Sequence, residues 1–245
     1  MSRARQAKRH FETVLMPPAW PEDADAVPVR AAAISGMEAV SPLLGLLPRG
    51  GLLAWRAVIV LGRITAGIAA TDMEDARTVM RRCMWHLNED SGNMGWGIAE
   101  AMGEIAAQSP PLAEEYGRVI LSYARPTGRA DNFIDNDFLR PGAYWAIGRF
   151  APSCPEYGTE GAELLLAGLA DDDARCPGNA AWGTGKLAMA GALAADRKRQ
   201  DAQSRQRPIS GHDLCDILDG LHRFVEPAAS FARKALNQLA DAGFV

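Results

Sequence analysis

Aromatic residues make up only 7% of this 245-residue chain. With alanine abundant, that scarcity points to a core of small side chains, as closely packed helices allow. Charge of one sign is also lacking: 26 basic against 30 acidic residues leave a formal net charge of −4, which gives no overall attraction for nucleic acid or an anionic membrane. The four cysteines, Cys83, Cys154, Cys176 and Cys215, stand far apart and form no CxxC pair. That excludes a zinc ribbon and a CxxC redox motif and fits a reducing, cytoplasmic setting. The most apolar stretch, residues 43–70, is broken by Pro48, Arg49, Arg56 and Arg63, short of the roughly 18 apolar residues of a membrane span. The basic N-terminus (Arg3, Arg5, Lys8, Arg9) leads into Glu12, Thr13 and Pro17 instead of an apolar run, so no export signal is read. No Walker loop, GxSxG elbow, HExxH pair or dinucleotide fingerprint occurs.

What is present is helical periodicity. Residues 27–40, 51–70, 72–88, 93–107, 111–124, 139–150, 159–170, 178–195, 211–222 and 227–242 each suit a helix, separated by short segments rich in Gly, Pro, Asp and Ser. Thr71 to Glu74 reads as a capping box and Ser210 to Asp213 as a weaker one. The expected organisation is one domain over 1–245. A basic helix and linker occupy 1–26, repeats 27–195, a polar loop or helix extension 196–208, and capping helices 209–245.

Five helices carry Gly in a similar frame, at Gly36, Gly62, Gly103, Gly148 and Gly185, most of them about 40 residues apart. Gly inside a helix costs about 1 kcal/mol relative to Ala, so its recurrence calls for close approach of a neighbouring helix. The fold class expected is therefore all-α, an α-α superhelix of HEAT or armadillo type with about five to six helix pairs. Residues just after the glycines are Arg63, Glu104, Arg149 and Lys186. Those three before are Ile59, Glu100, Trp145 and Trp182. Inner helices about 10 Å apart would align these as a charged ladder flanked by Trp96, Trp145 and Trp182, with Glu104 bridging Arg63 and Arg149. The ladder reads either as a binding groove or as bracing between repeats.

Residues 80–105 are the least generic stretch. Asn88, Glu89, Asp90, Ser91 and Asn93 crowd a turn between Trp85 and Trp96, and glycines at 92, 95 and 97 allow close backbone approach. Three chemistries compete there: a metal site from His86, Glu89, Asp90 and Cys83, which lacks a paired anchor; acid–base work by Glu100 or Glu104 beside Trp96; and a rigid polar turn with Glu100 tied to Arg81 or Arg82. The acidic run from Asp131 to Asp137 reads as a cap for the next helix, and Asp171 to Asp173 as a solvated turn.

The run RRCMWHLNEDSGNMGWGIAEAMGEI, followed by LRPGAYWAIGRFAP, resembles a bacterial family of HEAT-repeat proteins known mainly from sulfate-reducing and related anaerobic bacteria. The matching positions are Trp85, Leu87, Asn88, Asp90, Ser91, Gly92, Gly95, Trp96, Gly97, Glu100, Ala101, Met102, Gly103 and Glu104. Ala99 stands where the family often has Pro. The resemblance covers roughly residues 30–195 and implies an α-α superhelix in the cytoplasm. It implies no activity.

The function expected is a non-enzymatic scaffold, monomeric or homodimeric, that binds a protein or peptide partner on its concave face. It would use no cofactor, no metal, no nucleic acid and no membrane. The binding residues expected are Trp85, Asn88, Asp90, Ser91, Trp96, Glu100, Glu104, Trp145, Arg149, Trp182 and Lys186. The alternative is a small-molecule site or enzyme around Trp96, Glu100, Glu104 and Arg149. Helical-repeat DNA binding is disfavoured because Glu100 and Glu104 would interrupt a basic stripe.

Overall fold

A computed structural model describes residues 3–16, 34, 36–88, 95–128, 132–173 and 175–201, with side chains over 5–191. The described residues are all-helical. The helices are α1 (Arg3–Leu15), α2 (Met37–Leu44), α3 (Gly51–Thr71), α4 (Met73–Leu87), α5 (Ile98–Gln108), α6 (Pro110–Ser122), α7 (Arg140–Phe150), α8 (Gly158–Gly168) and α9 (Arg175–Asp201). Short 3-10 turns stand at Leu47–Arg49, Ala151–Ser153 and Pro155–Tyr157.

Four helices form a row in which α3 packs on α5, α5 on α7 and α7 on α9. A second layer leans on it: α4 touches α3 and α5, α6 touches α5 and α7, and α8 touches α7 and α9. The residues that meet show that the row helices run in one direction. Going up α5, Gly95 meets Leu139, Glu100 meets Gly142 and Gly103 meets Ala146; going up α7, Pro141 meets Asn179 and Gly148 meets Gly183.

Glycine makes the crossings close. A Cβ on Gly62 would lie 2.5 Å from Glu104 Cγ, one on Gly103 2.5 Å from Ala146 Cα, and one on Gly148 2.4 Å from Gly183 Cα. A side chain at any of these positions would collide with the neighbouring helix, so glycine sets the spacing of the row. Between the layers, tyrosine rings fill the room that glycines leave: Tyr157 against Gly117 and Tyr144 against Gly168.

The core follows the apolar stripes. Ala76, Val79, Met80 and Cys83 bury one side of α4, while α5, enclosed by neighbours, buries Ile98, Ala99, Ala101, Met102, Ile105 and Ala106 around its circumference. The joints between paired helices are alike. Asp72 (φ −147°, ψ 100°) separates α3 from α4, Ser109 (φ −137°, ψ 95°) separates α5 from α6, and Cys154 (φ −130°, ψ 85°) lies between the two 3-10 turns joining α7 to α8. Proline follows Ser109 and Cys154, which favours the extended conformation in the residue before it.

Several expectations need correcting. Asp72, not Thr71, caps α4: its Oδ1 accepts from the amides of Glu74 (2.9 Å) and Asp75 (3.0 Å), while Thr71 still belongs to α3. Gly36 is not inside a helix. It precedes α2 with φ +65°, a conformation glycine tolerates, and nothing lies within 4 Å of its Cβ position. On α9 the crossing glycine is Gly183, not Gly185, because α9 meets α7 about half a turn earlier than the repeat frame implies. Helix α9 continues to Asp201, so the first part of the 196–208 segment takes the helix-extension reading and not the loop one. The expected helices 211–222 and 227–242 and the cap at Ser210 lie outside the described residues.

Helix α3 has the length and hydropathy of a membrane span, with 56% of that window buried inside the protein. Here it is a core helix. Its Arg56 is buried and donates to the carbonyl of Leu15 at 2.6 Å, tying the end of α1 to the row.

Candidate functional site

The charged ladder forms in part, as a buried ion pair. Glu104 is 1% exposed on α5, held between α3 and α7. Arg149 of α7 donates to it through Nε (2.6 Å to Oε2) and Nη2 (3.0 Å to Oε1), and Gln108 Nε2 adds a third bond at 3.0 Å. This bidentate geometry satisfies the carboxylate inside the protein and braces α5 against α7. Arg63 is half-buried on α3. Lys186 Nζ lies 5.7 Å over the Trp182 ring, one turn away on α9.

An aromatic row crosses the same helices. Trp145 of α7 and Trp182 of α9 stack with centroids 5.7 Å apart and planes at 6°. Trp55 of α3 meets Trp145 edge-on at 4.8 Å. Trp145 is buried, Trp182 half-buried and Trp55 40% exposed, so the row opens to solvent at its α3 end. Trp55 reaches α7 because α5 has barely begun at that level. Gly62 lies at Glu104, so two turns earlier Trp55 lies near Gly97, the residue before α5.

Trp96 does not join this row. It is 37% exposed and packs against Phe138, just before α7, at 5.8 Å; Arg175 covers the other ring at 4.8 Å. Sequence reasoning missed Trp55 and Phe138. Trp55, Ile59 and Gly62 follow the i, i+4, i+7 rule for one helix face, and that spacing marks Trp55 as the aromatic of its helix.

Glu100 sits in the first turn of α5, half-buried. Its carboxyl lies against the backbone of α7: a Cβ on Gly142 would be 2.5 Å from Oε2. Burial pushes that carboxyl up to about 7, opposed only by a hydrogen bond from backbone. The expected tie to Arg81 or Arg82 is not made. Arg81 bonds Glu74 at 2.6 Å and Arg82 bonds Ser41 Oγ at 2.8 Å, because both point away from α5 on the exposed side of α4.

Of the turn residues, Trp85 is 55% exposed with its ring edge on His86, and Asn88 is exposed at the end of α4. Asp90 and Ser91 lie outside the described residues, as do Glu89 and Asn93. Cys83 is buried, which pushes its thiol up to about 12 and keeps it protonated, the wrong form for a metal ligand. No group of three or more metal-ligating side chains occurs among the described residues.

The Asp171 turn is not simply solvated. Buried Arg140 donates to Asp171 (2.8 Å), to Asp137 (2.8 Å) and to the Asp135 carbonyl (2.8 Å), and the Tyr144 hydroxyl donates to Asp171 at 3.2 Å. Although burial opposes it, Arg140 holds the Asp171 carboxyl below its usual range. The acidic run before α7 thus grips Arg140, and its Asn136 caps the amide of Phe138. No protein-family model, curated protein or solved structure matches the chain.

Proposed function

We propose that the protein is a HEAT-like α-α superhelix acting as a non-enzymatic scaffold, with the exposed side of the α3–α5–α7–α9 row as its peptide-binding face. The superhelix is supported by the parallel row helices, the recurring glycine crossings and the three joints with nearly the same φ and ψ. A cytoplasmic setting fits the unbridged, buried Cys83, Cys154 and Cys176. The partner class is protein, with no nucleic acid or membrane, and the chain acts as a monomer or homodimer.

The observation that carries the binding reading is the Trp55–Trp145–Trp182 row. Tryptophans dominate protein interfaces when anchored on one side and open on the other, and Trp55 is so placed. The Glu104–Arg149 pair belongs to the frame beneath. An acid–base reading loses Glu104 to that pair and rests on Glu100 alone, which makes it the less supported of the two.

The test is affinity capture from the native cell with three baits. Trp55→Ala should lose partners that the unsubstituted chain and Trp85→Ala retain, with unchanged circular dichroism in all three. Equal capture by Trp55→Ala removes the row from the interface.

A further inference from the structure

We propose that the row is selective for a cation: the surface where Trp55, Trp145 and Glu100 converge takes an ammonium group, supplied by a lysine side chain of the bound peptide. This rests on the peptide-binding reading above and names the chemistry that the face selects.

Three observations converge on one place. The Glu100 carboxyl rests on Gly142, and Trp145 stands one turn further along α7. Side chains on a helix lean toward its N-terminus, so the Trp145 indole covers the turn that holds Gly142. Trp55 closes on Trp145 from the α3 side at 4.8 Å, at the level where α5 begins, about one turn before Glu100. Register therefore brings the carboxyl on Gly142 to the same stretch of the row as the two indoles, one of them 40% exposed.

The nearby cations are committed elsewhere. Arg149 is bound to Glu104, Arg140 to Asp171 and Asp137, and Arg56 to the Leu15 carbonyl. Lys186 lies over Trp182, and no cation among the described residues acts on Glu100. A partly buried carboxylate without a counter-charge is costly, and a ring face attracts a cation electrostatically, so an incoming ammonium would satisfy both. Glycine at 142 is what admits the carboxyl, since a Cβ there would overlap it. An anionic side chain would be repelled by the carboxylate, and a neutral one gains no charge attraction to it or to the rings.

The test titrates the full chain with three fluorescent peptide pools, randomised at flanking positions and fixed at the centre as lysine, Nε-acetyl-lysine or glutamate. In parallel, n-butylammonium and n-butanol are titrated against tryptophan fluorescence. The lysine pool should bind about tenfold tighter than the other two, and n-butylammonium alone should give a saturable change. Glu100→Gln, isosteric and checked for fold by circular dichroism, should abolish the lysine preference and the n-butylammonium response. Equal binding of all pools with no n-butylammonium response overturns the cation site and leaves peptide binding standing. An n-butylammonium response lost in Glu100→Gln, with no pool bound, supports the cation site and overturns the peptide reading. A response that survives Glu100→Gln overturns the assignment of Glu100.

Discussion

Glu100 and Glu104 are one helical turn apart on α5, yet their surroundings give them opposite characters. Glu104 is bound three times over; Glu100 is pressed onto a backbone and raised to about 7. A carboxyl whose folded pKa lies above its unfolded value leaves stability intact below the unfolded value and removes it as pH rises through the folded one. For Glu100 that window runs from its ordinary value of 4.5 to about 7. Glu100→Gln should therefore be more stable than the parent at pH 8, by about 1–3 kcal/mol after allowance for solvent screening, with the gain vanishing near pH 4. Urea unfolding of both proteins across that range checks it; an unchanged difference from pH 4 to 8 would contradict the raised pKa. Asp171 and Asp173 act in the reverse sense, since Arg140 and Arg175 hold them low and their contribution is lost in acid. They are common to both proteins and cancel in the difference. At Arg149, substitution by methionine leaves Glu104 buried without its cation and should cost about 2–4 kcal/mol. The double variant Glu104→Gln with Arg149→Met should lose much less than the two single losses added. Additive losses would mean that the pair is not coupled.

Glycine does different things in different helices, and substitution separates them. Gly148 meets the backbone of Gly183, which cannot move aside as a flexible side chain could. Gly148→Ala should then destabilise by about 2 kcal/mol or more, by prying α7 from α9. Gly67, inside α3 with nothing within 4 Å of its Cβ position, should respond the other way, Gly67→Ala stabilising by about 0.5–1 kcal/mol. Thermal unfolding of the two variants decides, and the same sign in both would refute the crossing role. Helix identity and these crossings were legible in the sequence because periodicity and a costly residue in a helix interior are local signals. Gly183 was not, since choosing between it and Gly185 depends on where α9 meets α7, a long-range property. The pairing of Glu104 with Arg149 followed from register. The bonding of Asp171 to Arg140 did not, because 31 residues separate them and no shared periodicity links the two segments.

Over the whole molecule, protection should follow enclosure. Helices α5 and α7 have row neighbours on both sides and second-layer helices behind, whereas α1 packs mainly on α2 and α3 at one end of the described helices. Hydrogen exchange should be slowest in α5 and α7 and fastest in α1, with α8 between. Uniform protection would indicate that the described helices open only together. The net charge of −4 conceals how the charges are used. Arg56, Arg140 and Arg149 are committed to internal bonds, and Lys186 lies over Trp182 at the α9 end of the ring row.

The contact between Trp55 and Trp145 and the stack of Trp145 on Trp182 join three different helices through their chromophores. Indole transitions held this close couple, and the coupling depends on separation and angle. The protein therefore carries an optical gauge of its own: the near-ultraviolet circular dichroism of these rings registers any shift of α3 or α9 relative to α7, without a label.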